Sequence, residues 1–245
     1  MMNAIAGGGT LLTFPALIGL GIPPLIANAT STIGLVPASV TSMWGYRNEL
    51  RGARQWAFGF ALPSLAGGLV GALLLVRTPA VTFSWLVPWL VLGATALFIA
   101  QAPLTAWLRQ KTAPSQGLSA GVPARERPPS APLVAFQFLI AIYGGYFGAG
   151  VGILMLAGFG FMGLTNIHRM NGFKNWGGLC MNAVAAAVFA MAGLVNWPVS
   201  LAIATGAFGG GYLGSRVAQQ VGQRVVRIAI ATIGISSGVW LMATR

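Results

Sequence analysis

No charged residue occurs before Arg47, and further uncharged runs occupy positions 56–76, 83–108, 132–163, 198–215 and 228–244. Each is near or above the roughly 17–25 residues that carry an α-helix across a bilayer. A soluble domain carries about 25% charged residues, whereas this chain has 7% charged and 56% hydrophobic residues. It has too little polar surface to face water on all sides, so the sequence predicts an all-α integral membrane protein. A cleaved signal peptide does not account for the amino end, which lacks a basic leader and is followed by more apolar sequence.

The formal net charge of +12 would suggest a nucleic-acid partner in a soluble protein. Here the basic residues sit between apolar runs, and they read as topology signals through the positive-inside rule. No nucleic-acid partner is expected. The single cysteine, Cys180, excludes an intramolecular disulfide and any multi-cysteine metal site.

The one strongly polar interruption is "RQKTAPSQGLSAGVPARERPPSA", residues 109–131, rich in Pro, Ser and Ala. It reads as a cytoplasmic linker between two transmembrane repeats, 1–108 and 132–245. Gly150 follows Gly7 by 143 positions, and the same offset pairs Gly9 with Gly152, Asn28 with Asn171, Gly34 with Gly177 and "GGLVG" at Gly67 with "GGYLG" at Gly210. The two halves therefore read as an internal repeat of about four apolar segments each.

Counting segments gives eight spans and parallel repeats, which scatters Arg77, Arg169, Arg216, Arg224 and Arg227 to the outside. If the glycine-rich first segment of each half is broken or re-entrant, each half crosses three times and the repeats are inverted. Arg169, Arg216, Arg224 and Arg227 then join the cytoplasmic set, which satisfies the charge rule better. Both topologies stay open at this point, with inversion favoured.

Glycine costs roughly 1 kcal/mol against alanine inside a helix, so glycine runs within apolar segments need a reason. Segment 132–163 is long for one span and short for two, and "YGGYFGAGVG" lies at its middle. This is the pattern of a broken helix whose exposed amides face a substrate path, and Pro15 suggests the same for "AIAGGGTLLTFP". Glycine lets an anion approach backbone N–H groups closely, which singles out Gly8, Gly9, Gly148 and Gly150. "GGLVG" and "GGYLG" are better explained as close helix packing.

The stretches "NAIAGGGTLLTFPALIGLGIPPLIANATST", "YGGYFGAGVGILMLAGFGFMGL" and "GGYLGSRVAQQVGQRVVR" resemble the sulfite exporter TauE/SafE family, also called toluene-sulfonate uptake permeases. The resemblance spans nearly the whole chain. It implies a multi-pass transporter of the bacterial inner membrane, moving anions such as sulfite, sulfoacetate or sulfonates. Family members usually have about twenty apolar residues before the first stretch, which implies a late start at Met1. Asn3 and Gly144 stand where many members carry Asp, and Thr30, Ser31 and Thr32 stand where many carry Thr-Asn-Lys.

Lys174 is the one charge well inside an apolar segment, and the 143 offset pairs it with Ser31. An intramembrane cation marks a functional site or snorkels from a helix end, and here it reads as a binding cation for an anion. Asn28, Thr30, Ser31, Asn171 and Asn175 fall at related positions of the halves and could donate to oxyanion oxygens. Enzyme chemistry has little support: the two acids, Glu49 and Glu126, lie in loops, and one His with one Cys makes a weak dyad. The expected function is export of small organic or sulfur-containing anions, driven by membrane potential and without a cofactor. An anion channel or a non-transporting scaffold is the alternative. The expected partners are a small anionic substrate and the lipid bilayer, with a homo-oligomer left open.

Overall fold

The structure, a computed structural model, describes residues 9–45, 54–112, 131–161, 167–208 and 223–243. In chain order the described helices are α1 (Gly9–Gly19), α2 (Pro24–Gly45), α3 (Arg54–Arg77), α4 (Ala80–Thr112), α5 (Ala131–Tyr146), α6 (Val151–Phe161), α7 (Ile167–Met191), α8 (Trp197–Phe208) and α9 (Gln223–Ala243). Most of the expected linker lies outside the described residues, and α4 runs on past position 108 into it.

Two described segments, Trp56–Arg77 and Ala80–Ala100, are each long and apolar enough to cross a membrane. That is fewer than segment counting suggests, for two physical reasons. The first segment of the second half is divided into α5 and α6, of 16 and 11 residues, and the described part of the first segment of the first half is the eleven-residue α1. The helices α2 and α7 carry buried polar side chains, among them Asn28, Thr30, Lys174 and Asn175, which dilute their hydropathy.

The apolar run 132–163 is divided. Helix α5 ends at Tyr146 and α6 begins at Val151, with Gly148 at φ 76° and Gly150 at φ 75° between them. Those left-handed conformations cost an L-residue roughly 1–2 kcal/mol, so glycine makes the break feasible. The N–H groups of Phe147 and Gly148 both turn back to the Tyr143 carbonyl, and the Tyr143 hydroxyl donates to the Ala149 carbonyl at 2.6 Å. Most of the first glycine run, before Pro15, lies outside the described residues. Pro15 itself lies inside α1, which continues to Gly19. Membrane helices tolerate proline where neighbouring groups take up the freed carbonyl.

The "GGLVG" stretch packs helices, as expected. A Cβ on Gly67 would lie 2.5 Å from the Phe138 carbonyl oxygen, and one on Gly71 would overlap that of Ile142. In return, a Cβ on Gly145 would run into the Gly68 carbonyl, so α3 and α5 meet backbone to backbone. Helix α3 also runs alongside α7, with Phe60 stacked on Phe173 and Gly68 against Met181. "GGYLG" lies outside the described residues.

Two long-range pairings are antiparallel. Gly234 of α9 sits against Thr95 of α4 and Gly238 against Leu92, so numbering rises along one helix as it falls along the other. The Asn196 amide, just beyond α7, donates to Thr30 Oγ1 near the start of α2 at 3.0 Å. Ile26 borders a groove with Gly193 and Val195 there. The carboxyl end of α7 thus lies at the amino end of α2.

Candidate functional site

Between α2 and α7 lies a cavity of about 40 Å³, bordered by α1 and by the α5–α6 break. One wall is Thr32, Leu35, Ser39 and Ser42 of α2, and the facing wall is Lys174, Asn175, Gly178, Leu179 and Asn182 of α7. Thr10 of α1 and Gly148, Val151 and Gly152 at the α5–α6 break complete it. A single water needs roughly 10–15 Å³ measured this way, so the space suits a compact group.

The two short helices approach from opposite directions. Thr13 of α1 meets Ser31 of α2 across the Leu20–Pro23 turn, and along α6 Val151 lies by Met181 while Met155 lies by Gly177. Each short helix is therefore antiparallel to its long neighbour, and the long neighbours α2 and α7 are antiparallel to each other. The start of α6 carries the positive end of its helix dipole, which favours an anion, and its Val151 and Ile153 N–H groups donate to the Gly148 and Gly150 carbonyls.

Lys174 is buried at 3% exposure and Asn175 at 8%, and Asn175 Nδ2 has no hydrogen-bond partner among the described residues. A buried amide donor left unmet on a cavity wall is suited to a ligand acceptor. Among the described residues, the other lining side chains carry no formal charge.

Of the residues singled out from sequence, the structure gathers Lys174, Asn175 and Gly148 on this wall. Gly9 opens α1, while Gly8 lies outside the described residues. Gly150 turns toward Ala94 of α4. Asn28 spends its amide on the Tyr146 carbonyl, Thr30 accepts from the Asn196 amide, and the Ser31 hydroxyl pairs with Thr13. Asn171 is half-buried one turn before Asn175 and does not line the cavity.

Sequence reasoning did not single out Thr10, Thr32, Ser39, Ser42, Gly152 or Asn182. A usable signal was present: positions 32, 35, 39 and 42 share one helical face, as do 175, 178 and 182. Small and polar residues on both stripes are what a water-accessible wall needs.

A family model for the sulfite exporter TauE/SafE matches residues 1–241. The chain belongs to the TauE/SafE sulfite exporter family. Within it, the chain is 30% identical over 250 residues to a probable membrane transporter protein, ORF9, of Sinorhizobium sp., covering 99% of this chain and 87% of the relative. It is 27% identical over 240 residues to the probable membrane transporter protein YfcA of Escherichia coli K12, covering 95% and 81%. A probable membrane transporter protein of Haemophilus influenzae is 25% identical over 232 residues, covering 92% and 83%. No solved structure is matched. This TauE/SafE member is thus a membrane transporter for a small-molecule substrate, and family and relatives alike indicate a transporter rather than an enzyme.

Proposed function

We propose that this TauE/SafE member is a multi-pass protein of the bacterial inner membrane that exports small organic or sulfur-containing anions, such as sulfite, sulfoacetate or sulfonates. The observation that carries the reading is the cavity between α2 and α7, with the buried Lys174 and Asn175 on its wall and α1 and the α5–α6 break beside it. Such a site replaces the hydration shell of an anion with an ammonium, an amide and backbone N–H groups. Gly9 and Gly148 serve it by clearing space around the helix starts. Asn28, Thr30, Ser31, Asn171 and Gly150 are assigned to its supporting structure, and Gly8 lies outside the described residues.

The residues 1–108 and 132–245 are read as inverted repeats joined by a cytoplasmic linker, 109–131. The described helices match in order across the halves, α1 with α6, α2 with α7, α3 with α8 and α4 with α9. Gly34 of α2 packs on α8 at Ile203, and its repeat mate Gly177 of α7 packs on α3 at Ser64, the counterpart of α8. Equivalent helices that run antiparallel, α2 with α7 and α4 with α9, are what a two-fold axis in the membrane plane produces. The cavity straddles that axis, since Thr32, Leu35 and Ser39 are 143 positions before Asn175, Gly178 and Asn182.

Export follows from energetics: each negative charge leaving an inside-negative cell gains about 2.3 kcal/mol per 100 mV. The test is sulfite flux in proteoliposomes under a potassium diffusion potential at fixed pH. Saturable efflux that follows voltage supports the reading, and efflux that needs a proton gradient and ignores voltage refutes it. Linear, unsaturable flux would indicate a channel.

A further inference from the structure

Gly177 and Gly178 are neighbours on α7 but meet different surroundings. A Cβ on Gly177 would lie 2.8 Å from Met155 Cε and 3.1 Å from both Gln137 Nε2 and Ser64 Oγ, so its missing side chain lets the helices pack. Gly178 lines the cavity, and among the described residues no atom lies within 4 Å of a Cβ built there. Packing therefore does not call for glycine at 178, and glycine weakens a helix relative to alanine. Resting on the anion-site reading above, we propose that Gly178 sets the size limit of the substrate: the room left by its absent side chain holds the body of the anion against Asn175.

Gly178 stands on the same face of α7 as Lys174 and Asn175, which lie one turn before it, and Asn182, which lies one turn after. Side chains on a helix lean toward its amino end and cover the preceding turn. Any side chain at 178 would therefore cover Lys174 and Asn175, and glycine leaves them open to the cavity. Asn175 Nδ2 is buried without a hydrogen-bond partner among the described residues, so the donor that Gly178 uncovers is one a ligand oxygen can use. The opposite wall has the same position filled. Leu35 of α2 stands 143 positions before Gly178, as Thr32 and Ser39 stand before Asn175 and Asn182, and all six line the cavity. Where the α2 wall carries an isobutyl group, the α7 wall carries a hydrogen, so the space is displaced toward the wall that bears Lys174. The cavity measures about 40 Å³, against roughly 10–15 Å³ for one water on the same measure. A methyl group is no smaller than a water, so Gly178→Ala removes a large share of the room.

The experiment reconstitutes the full chain in proteoliposomes and measures saturable sulfite efflux and its inhibition by methanesulfonate, ethanesulfonate and propanesulfonate. These probes share one headgroup and one charge and lengthen by one carbon at a time. All three should compete with sulfite in the unmodified protein. In Gly178→Ala the inhibition constant should rise about ten-fold or more for propanesulfonate and less than about three-fold for methanesulfonate, as a pocket that has lost the room of one carbon discriminates. Melting should be unchanged or slightly raised, which separates a size limit from a structural role. Gly177→Ala is the contrasting variant: it should melt lower and affect the three sulfonates alike. Inhibition constants that keep their unmodified ratio in Gly178→Ala overturn the size limit and leave the anion site standing. Sulfonates that fail to compete in unmodified protein that moves sulfite also overturn it, because no substrate body then occupies the room at 178. Absence of saturable sulfite efflux, in unmodified protein that melts cooperatively, refutes the anion-site reading itself.

Discussion

Asn28 of α2 donates its Nδ2 hydrogen to the Tyr146 carbonyl at 2.9 Å, bridging 118 positions of chain. The bond ties the first half of the molecule to the last residue of α5, where the second half breaks. A helix end without such a partner leaves carbonyls unmet in a medium that cannot hydrate them.

Asn28→Leu should therefore loosen the break. Hydrogen bonds between membrane helices contribute roughly 0.6 kcal/mol on average and up to about 1.7. The expected result is a modestly lower melting temperature in detergent and a larger loss of sulfite flux, because Gly148 beyond the break lines the cavity. Unchanged melting and flux would show that the bond fixes nothing.

Gly148→Ala and Gly150→Ala should separate strain from crowding. Both positions have positive φ, so both variants pay roughly 1–2 kcal/mol. A Cβ on Gly148 would also lie 2.9 Å from the Gly144 carbonyl oxygen, while one on Gly150 would sit at ordinary contact distance, 3.5 Å, from that of Ala94. Gly148→Ala should be the less stable of the two and the poorer transporter. Equal melting temperatures would contradict the geometry of the break.

The glycines of α3 supply a built-in comparison. Gly71→Ala would press a methyl group into the Ile142 carbonyl, and overpacking of this kind costs about 1–3 kcal/mol. Gly93 and Gly206 have nothing within 4 Å of a Cβ, so alanine there should be neutral or slightly stabilising through helix propensity. Thermal melts of the three variants check this. Gly71→Ala melting with Gly93→Ala would mean that α3 and α5 separate more easily than their contact suggests.

The broken second segment was legible because length and glycine content both spoke for a break, and a break is a local property of the backbone. The cavity wall was less legible. Ser and Thr in a membrane helix can face a cavity or pair with a neighbour, and spacing alone does not separate the two. Thr30 and Ser31 pair with Asn196 and Thr13, while Thr32, one position on, lines the cavity. A step of one residue rotates a side chain by about 100° on a helix, so which of three adjacent hydroxyls faces inward depends on tertiary packing.

The proposed inverted arrangement predicts the sidedness of the basic stretches 47–54 and 216–227. Cysteines at Arg51 and Arg224 should both be protected from a membrane-impermeant reagent added outside cells and both react after permeabilisation. Labelling from opposite sides would rule out inversion.

The last prediction asks whether Lys174 acts by its charge or by its place. Lys174→Met keeps chain length and apolar volume but removes the ammonium. A charge-assisted hydrogen bond contributes roughly 1.5–3 kcal/mol, so sulfite affinity should fall about ten-fold to a hundred-fold. Lys174→Arg should recover part of the loss, because a planar fork does not fit where a compact ammonium sat. Thr32 lines the same cavity from the opposite wall, 143 positions before Asn175. A lysine placed there returns the positive charge to the same small space through the other half of the molecule. Thr32→Lys combined with Lys174→Met should therefore regain at least ten-fold of the lost affinity, measured by titration with sulfite. If the double variant binds as weakly as Lys174→Met while melting like the unmodified protein, Lys174 works through contacts particular to α7, and charge in the cavity is not what holds the anion.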